Sequence, residues 1–151
     1  MLQVVPTHWY SWDFRVTDES RRVAEIAMSW WREKGTLTVD GATYPVYREG
    51  AMSGAFVLEQ HGGVLARAEK PSFFRRDLVI RHDGREFTLR PKSAFRRGFA
   101  LVEGSRDVGS LELQNAFTRN AVADLPHDLP LPVRAFIVWL MLISWKRAQH
   151  S

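Results

Sequence analysis

Near the C-terminus the chain runs Ala-Phe-Ile-Val-Trp-Leu-Met-Leu-Ile-Ser-Trp from Ala135 to Trp145, eleven residues without a charge. As a helix this stretch spans about 17 Å at about 1.5 Å per residue, whereas a bilayer core of about 30 Å requires about 20 residues. Pro130 and Pro132 break the chain before it, Arg134 falls in its first turn, and Lys146 and Arg147 close its C-terminal end, where cations suit the helix dipole. Because Phe136 to Ile143 occupy every direction of the helical wheel, no side is left for water and the helix must be surrounded. The rest of the same domain is the expected enclosure; a partner or a membrane-inserted tail is the alternative.

The preceding residues supply a wall. Between Trp9 and Leu125 short alternating segments recur with turn signals between them, the pattern of an all-β sandwich or barrel. Examples are Phe14 and Val16, Phe56 and Leu58, Leu78 and Ile80, Phe87 and Leu89, and Phe99 and Leu101. Connectors such as Asp40-Gly41, His61-Gly62-Gly63, Asp83-Gly84 and Glu103-Gly104-Ser105 are rich in residues that tolerate positive φ. Ala66, Ala68 and Gly109 at inward positions would leave room for wide side chains, and Trp139 and Trp145 supply the width. At 151 residues, 45% apolar and 25% charged, the chain is expected to form one compact domain.

An internal repeat adds order. Lys70-Pro71-Ser72-Phe73-Phe74-Arg75-Arg76 is echoed about 21 residues later by Pro91-Lys92-Ser93-Ala94-Phe95-Arg96-Arg97, and again by Asn115-Ala116-Phe117-Thr118-Arg119. Each copy lies between alternating segments and is expected to be a turn. Residues 20–34 admit two assignments. Val23, Ile26, Ala27, Trp30 and Trp31 fit an amphipathic helix capped by Gly35, while the likeness of 29–37 to 93–101 makes the segment a fourth strand-turn-strand unit.

This order of features resembles the Tubby C-terminal-like superfamily, which includes LURP-one-related proteins and phospholipid scramblases. The likeness is carried by Phe14-Arg15-Val16-Thr17-Asp18, by Val64-Leu65-Ala66-Arg67-Ala68 after Gly62-Gly63, by Val108-Gly109-Ser110-Leu111, and by the helix from Pro132 to Arg147. The resemblance implies a closed up-and-down antiparallel barrel of about 11–12 strands around a central hydrophobic C-terminal helix. Residues 1–8 would be a lead-in, 9–147 the barrel domain with its helix at 131–147, and 148–151 a tail. It also implies a lipid-headgroup or protein-binding role, with phosphoinositides among the family's ligands. The chain lacks the Cys cluster of acylated scramblases and any Asp-rich calcium loop.

Charge gives the expected site. Lys and Arg number 21 against 17 acids, a net +4 that suits an anionic partner. If the strands alternate up and down, the repeat turns share one rim. Formal charge then divides into roughly +10 at that rim and roughly −4 at the other. Lys70, Arg75, Arg76, Lys92, Arg96, Arg97 and Arg119 are the candidate anion ligands, and Trp30, Trp31, Phe73, Phe74, Phe95 and Phe117 the rim aromatics. Such a rim suits an anionic membrane surface, where each nearby cation adds about 1 kcal/mol and aromatic rings prefer the headgroup level. The same aromatics would equally plug the open barrel end, with Arg stems packing on the rings. A protein partner is the alternative to lipid. Nucleic acid fits less well, because no helix-turn-helix, zinc finger or RNP motif is present.

No catalytic chemistry is expected. Without Cys there is no thiol site, and His8, His61, His82, His127 and His150 are scattered without metal-ligand spacing. Gly50-Ala51-Met52-Ser53-Gly54 misplaces its Ser for a nucleophile elbow, and Asp128 is expected in a helix N-cap or a loop. No metal or cofactor is expected. Met1 to Trp12 has neither a basic n-region nor an apolar h-region, so a cytoplasmic location, peripheral to the inner membrane face, is the expectation.

Overall fold

The structure, a computed structural model, describes residues 1–8, 11–29, 32–50, 54–71, 76–92, 98–115 and 119–149, the side chains of Asn115, Ala148 and Gln149 excepted. Twelve strands precede one helix: β1 Leu2–Pro6, β2 Phe14–Asp18, β3 Arg21–Met28, β4 Lys34–Val39, β5 Ala42–Arg48, β6 Phe56–Gln60, β7 Gly63–Glu69, β8 Leu78–His82, β9 Arg85–Pro91, β10 Gly98–Glu103, β11 Arg106–Asn115, β12 Asn120–Asp124 and α1 Leu131–Gln149. Each strand pairs antiparallel with its sequence neighbours, and β1 pairs with both β2 and β12 to close the barrel.

Closure corrects the expected N-terminal boundary. Residues 1–8 are no lead-in: Leu2, Gln3 and Val4 register against Ala123, Val122 and Ala121, and all five residues of β1 register against β2. Leu2 and Val4 are buried in the core while Gln3 faces out. The strand removes two edges that would otherwise present unpaired backbone groups. The segment 20–34 is strand, connector, strand, with Ala24 and Ile26 buried and Glu25 exposed between them, a period of two rather than 3.6.

Eight-stranded barrels are filled by their own side chains, and wider ones must hold something else. Here α1 fills the lumen. Val133 and every residue from Ala135 to Ile143 are at most 3% exposed, so all faces of the helix are covered. Trp139 meets Phe56 of β6 edge-on at 5.6 Å and stacks on Phe136 at 5.9 Å. Phe56 is registered against Ala68, and Leu58 against Ala66, so small residues do stand beside the bulky ones at this wall. Gly109 has a different reason: a Cβ there would lie 2.6 Å from the Asp124 carbonyl oxygen, where β12 leaves the sheet for the helix. The indole N–H groups of Trp139 and Trp145 have no hydrogen-bond partner among the described residues, so these rings serve as volume rather than as polar anchors. Ser144, the one hydroxyl in the apolar stretch, donates to the Leu140 carbonyl at 2.9 Å, as mid-helix serines do.

Candidate functional site

Up-and-down topology sorts the connectors. Those at 19–20, 40–41, 61–62, 83–84 and 104–105 share one end of the barrel and are two residues long. Asp40 and Gly41, His61 and Gly62, and Asp83 and Gly84 all have positive φ, the geometry of primed turns that matches the strand twist. Those at 7–13, 29–33, 49–55, 70–77, 92–97 and 116–119 share the other end and run from four to eight residues. All the repeat turns fall in this second set. The helix enters from the compact end, where the Arg134 guanidinium donates to the Leu129 carbonyl, and finishes at the long-connector end, where the Lys146 ammonium donates to the Ser29 carbonyl at 2.5 Å.

At the long-connector end most described cations are engaged in the fold. Arg147 forms a forked pair with Glu33 and lies over the Phe56 ring at 5.2 Å. Arg48 reaches the same Glu33 at 3.3 Å. Lys146 loses solvation there, which lowers its pKa, while Glu33 acts in the opposite direction. Lys92 pairs with Glu112 at 2.5 Å, and Arg90 with Asp77 at 3.6 Å. Arg119 donates to the carbonyls of Ser11 at 2.6 Å and His8 at 2.9 Å, and stands over the rings of Trp12 and Phe14. Burial lowers its pKa, and its φ of 59° lies in the left-handed region, which disfavours a side chain. Arg119 is therefore a latch holding the chain between β1 and β2, not a projecting ligand.

Four cations differ. Arg32, Lys34, Lys70 and Arg76 are exposed and enter no ion pair among the described residues. Of the seven expected anion ligands, then, Lys70 and Arg76 enter no ion pair among the described residues, while Lys92 and Arg119 have structural partners. Arg75, Arg96, Arg97, Trp30, Trp31, Phe73, Phe74, Phe95 and Phe117 lie outside the described residues, as does the proposed plug. The sequence does not single out Arg32 and Lys34. They flank Glu33, which makes the local charge look partly cancelled, but Glu33 is taken by Arg147, 114 residues away in sequence.

The compact end carries both signs. Glu19, Asp40, Asp83, Asp124 and Asp128 are exposed there, and so are Arg21, Arg22 and Arg106. Arg85 donates through two nitrogens to Glu103, at 2.9 and 3.0 Å, and through the third to Asp128 at 2.8 Å, while its guanidinium lies 4.9 Å from the Phe87 ring centre. These bonds raise the Arg85 pKa and hold the Glu103 carboxyl below the usual carboxylate range. Arg85, Glu103, Arg106, Asp107, Val108, Pro126 and Asp128 line an open cleft of about 350 Å³. Asp128 is thus a loop residue bridged to β9; it precedes the helix by too much to cap it, since the first helical amides, of Val133 and Arg134, are accepted by the Pro130 carbonyl.

His82 Nδ1 is 2.8 Å from the Leu65 carbonyl, His61 occupies a turn, and no three His, Asp or Glu side chains converge as a metal site among the described residues. A Cβ on Gly54 would fall 1.5 Å from the Glu49 carbonyl oxygen, so that glycine serves a tight return of the chain, in which the Glu49 amide donates to the Ala55 carbonyl. Among the described residues no helix is long and apolar enough to cross a membrane. No family model, curated protein or solved structure matches the chain.

Proposed function

We propose that this chain is a non-enzymatic binding module that recognises phosphate-bearing anionic ligands, phospholipid headgroups foremost, through the long-connector end of its barrel. One observation carries the proposal: at the end where every long connector converges, the acids Glu33, Asp77 and Glu112 are already paired, and Arg32, Lys34, Lys70 and Arg76 are exposed and enter no ion pair among the described residues. Loops on a rigid scaffold are the usual place for recognition. The sequence adds Arg75, Arg96 and Arg97 to the same connectors, and guanidinium groups favour bidentate phosphate contacts. Trp30, Trp31, Phe73, Phe74, Phe95 and Phe117 would supply rings for the headgroup layer. The resemblance to Tubby-like barrels points the same way, with the module peripheral to the cytoplasmic membrane face.

A second assignment, a structural or protein-interaction domain, is favoured by the engagement of Lys92, Arg119, Lys146 and Arg147 in internal contacts. Co-sedimentation with phosphatidylserine, cardiolipin and phosphoinositide vesicles separates the two. The lipid proposal expects the wild type to pellet with anionic vesicles, and a variant carrying Arg75→Glu, Arg76→Glu, Arg96→Glu and Arg97→Glu to stay in solution. Equal, negligible pelleting of both proteins selects the protein-interaction role.

A further inference from the structure

The four exposed long-end cations that enter no ion pair among the described residues form two groups. Arg32 and Lys34 belong to the connector before β4 and the start of β4; Lys70 and Arg76 belong to the connector between β7 and β8. The strand order β4-β5-β6-β7 puts three strand spacings between Lys34 and Lys70, and four separate the two connectors. At about 4.8 Å per spacing the groups lie about 14–19 Å apart along the barrel wall. The Debye length at physiological salt is about 8 Å, so an anion held by one group is screened from the other.

On this geometry we infer that the end reads a planar array of anionic lipid headgroups with two independent contacts, instead of clasping a single phosphorylated molecule. The inference rests on the function proposed above and specifies the form of its ligand. Between the two groups stands the β5–β6 connector, whose Glu49 is occupied by a two-pronged pair with Arg67, so no free cation of the described residues joins them into one pocket. Two separate contacts suit a membrane because the second binds at the high effective concentration set by the first. A soluble headgroup satisfies only one contact and gains none of that advantage.

The test uses the full chain, phosphatidylcholine vesicles containing phosphatidylserine, and three variants: Arg32→Glu with Lys34→Glu, Lys70→Glu with Arg76→Glu, and all four together. Circular dichroism of each variant establishes that the barrel is intact, as expected for exposed side chains. Each double variant should lose at least about 30-fold in vesicle partitioning, since two cations at about 1 kcal/mol each are removed and two acids added, and the quadruple variant should lose about the product of the two, as independent sites do. Soluble glycerophosphoserine and inositol hexakisphosphate should fail to displace the protein at concentrations where vesicles compete fully. Loss confined to one pair, or stoichiometric displacement by inositol hexakisphosphate, overturns the two-contact inference and leaves the anionic-ligand function standing. Failure of the wild type to bind any vesicle, with or without salt-sensitive binding to single-stranded DNA, removes the lipid function itself.

Discussion

The compact end of the barrel spends nearly every residue on the fold: five two-residue turns, most with left-handed backbone, fix the register of the strands they join. At the other end, connectors of four to eight residues leave side chains that neither the sheet period nor the core prescribes. The charges divide accordingly. Compact-end Arg85 is bound to two acids, whereas Arg32, Lys34, Lys70 and Arg76 at the long end are bound to none among the described residues. Exposed cations in no ion pair among the described residues occur at both ends, Arg21 and Arg106 at the compact one, but Arg32, Lys70 and Arg76 stand on connectors whose side chains the turn geometry does not prescribe.

Helix α1 ties the two ends together, so the largest effect comes from breaking it. Val138 is fully buried at the middle of the helix. Val138→Asp should abolish the cooperative thermal transition, because an unpaired buried charge costs several kcal/mol. On the outer wall, Val64 is 58% exposed, and Val64→Asp should change stability by no more than about 0.5 kcal/mol. Thermal melts by circular dichroism compare the pair; a folded, cooperatively melting Val138→Asp protein would remove the helix from the lumen.

Within the long-connector end, Arg119 and Lys70 provide the next contrast. Arg119→Ala removes hydrogen bonds to the carbonyls of His8 and Ser11, leaving the chain that delivers β1 unheld. A loss of about 1–3 kcal/mol is expected in urea unfolding, and Arg119→Lys should restore little, since a point charge cannot span both carbonyls. Lys70→Ala should leave stability unchanged. If the two variants are equally stable, the division between latch and free cation fails.

The same contrast explains what could be read in the amino acids beforehand. Strand alternation and an all-apolar terminal helix specify strands around an enclosed helix because burial follows local periods, while a closed barrel rather than a sandwich is implied by the resemblance. β1 escaped because it offers only Leu2 and Val4 as inward residues, and its partner β12 lies at the far end of the chain. Residues 20–34 were ambiguous because Val23, Ile26 and Ala27 satisfy the helical period while Ala24 and Ile26 satisfy the strand period. Which cations the fold engages is not legible in the sequence, because ion pairs and side-chain hydrogen bonds are decided by neighbours across the barrel. Glu112 reaches Lys92 from 20 residues away, and Ser11 reaches Arg119 from 108.

Backbone freedom gives a smaller test of the compact end. Gly41 has a φ of 78° and open space where a Cβ would stand, so Gly41→Ala meets only the left-handed penalty, about 1–2 kcal/mol. Its effect should appear in the melting temperature; a melting temperature equal to that of wild type would show that the turn does not need glycine at this position.

The smallest expected effect is confined to acid pH. Glu103 has a folded-state pKa below its unfolded value, chiefly because Arg85 donates to its carboxylate, with partial desolvation opposing the shift. A depressed carboxyl pKa means the folded state binds the proton less readily than the unfolded chain. Its stabilisation is therefore complete above the ordinary glutamate pKa and fades as pH falls through the folded value. Glu103→Gln should flatten part of the decline in melting temperature over that acidic interval, while leaving the vesicle partitioning measured at neutral pH unaltered. Because the Arg85–Glu103 pair is only partly buried, added salt should shrink the difference between the two proteins. A Glu103→Gln profile parallel to wild type across the carboxylate range would mean that Asp128 alone suffices to hold Arg85 at the compact end.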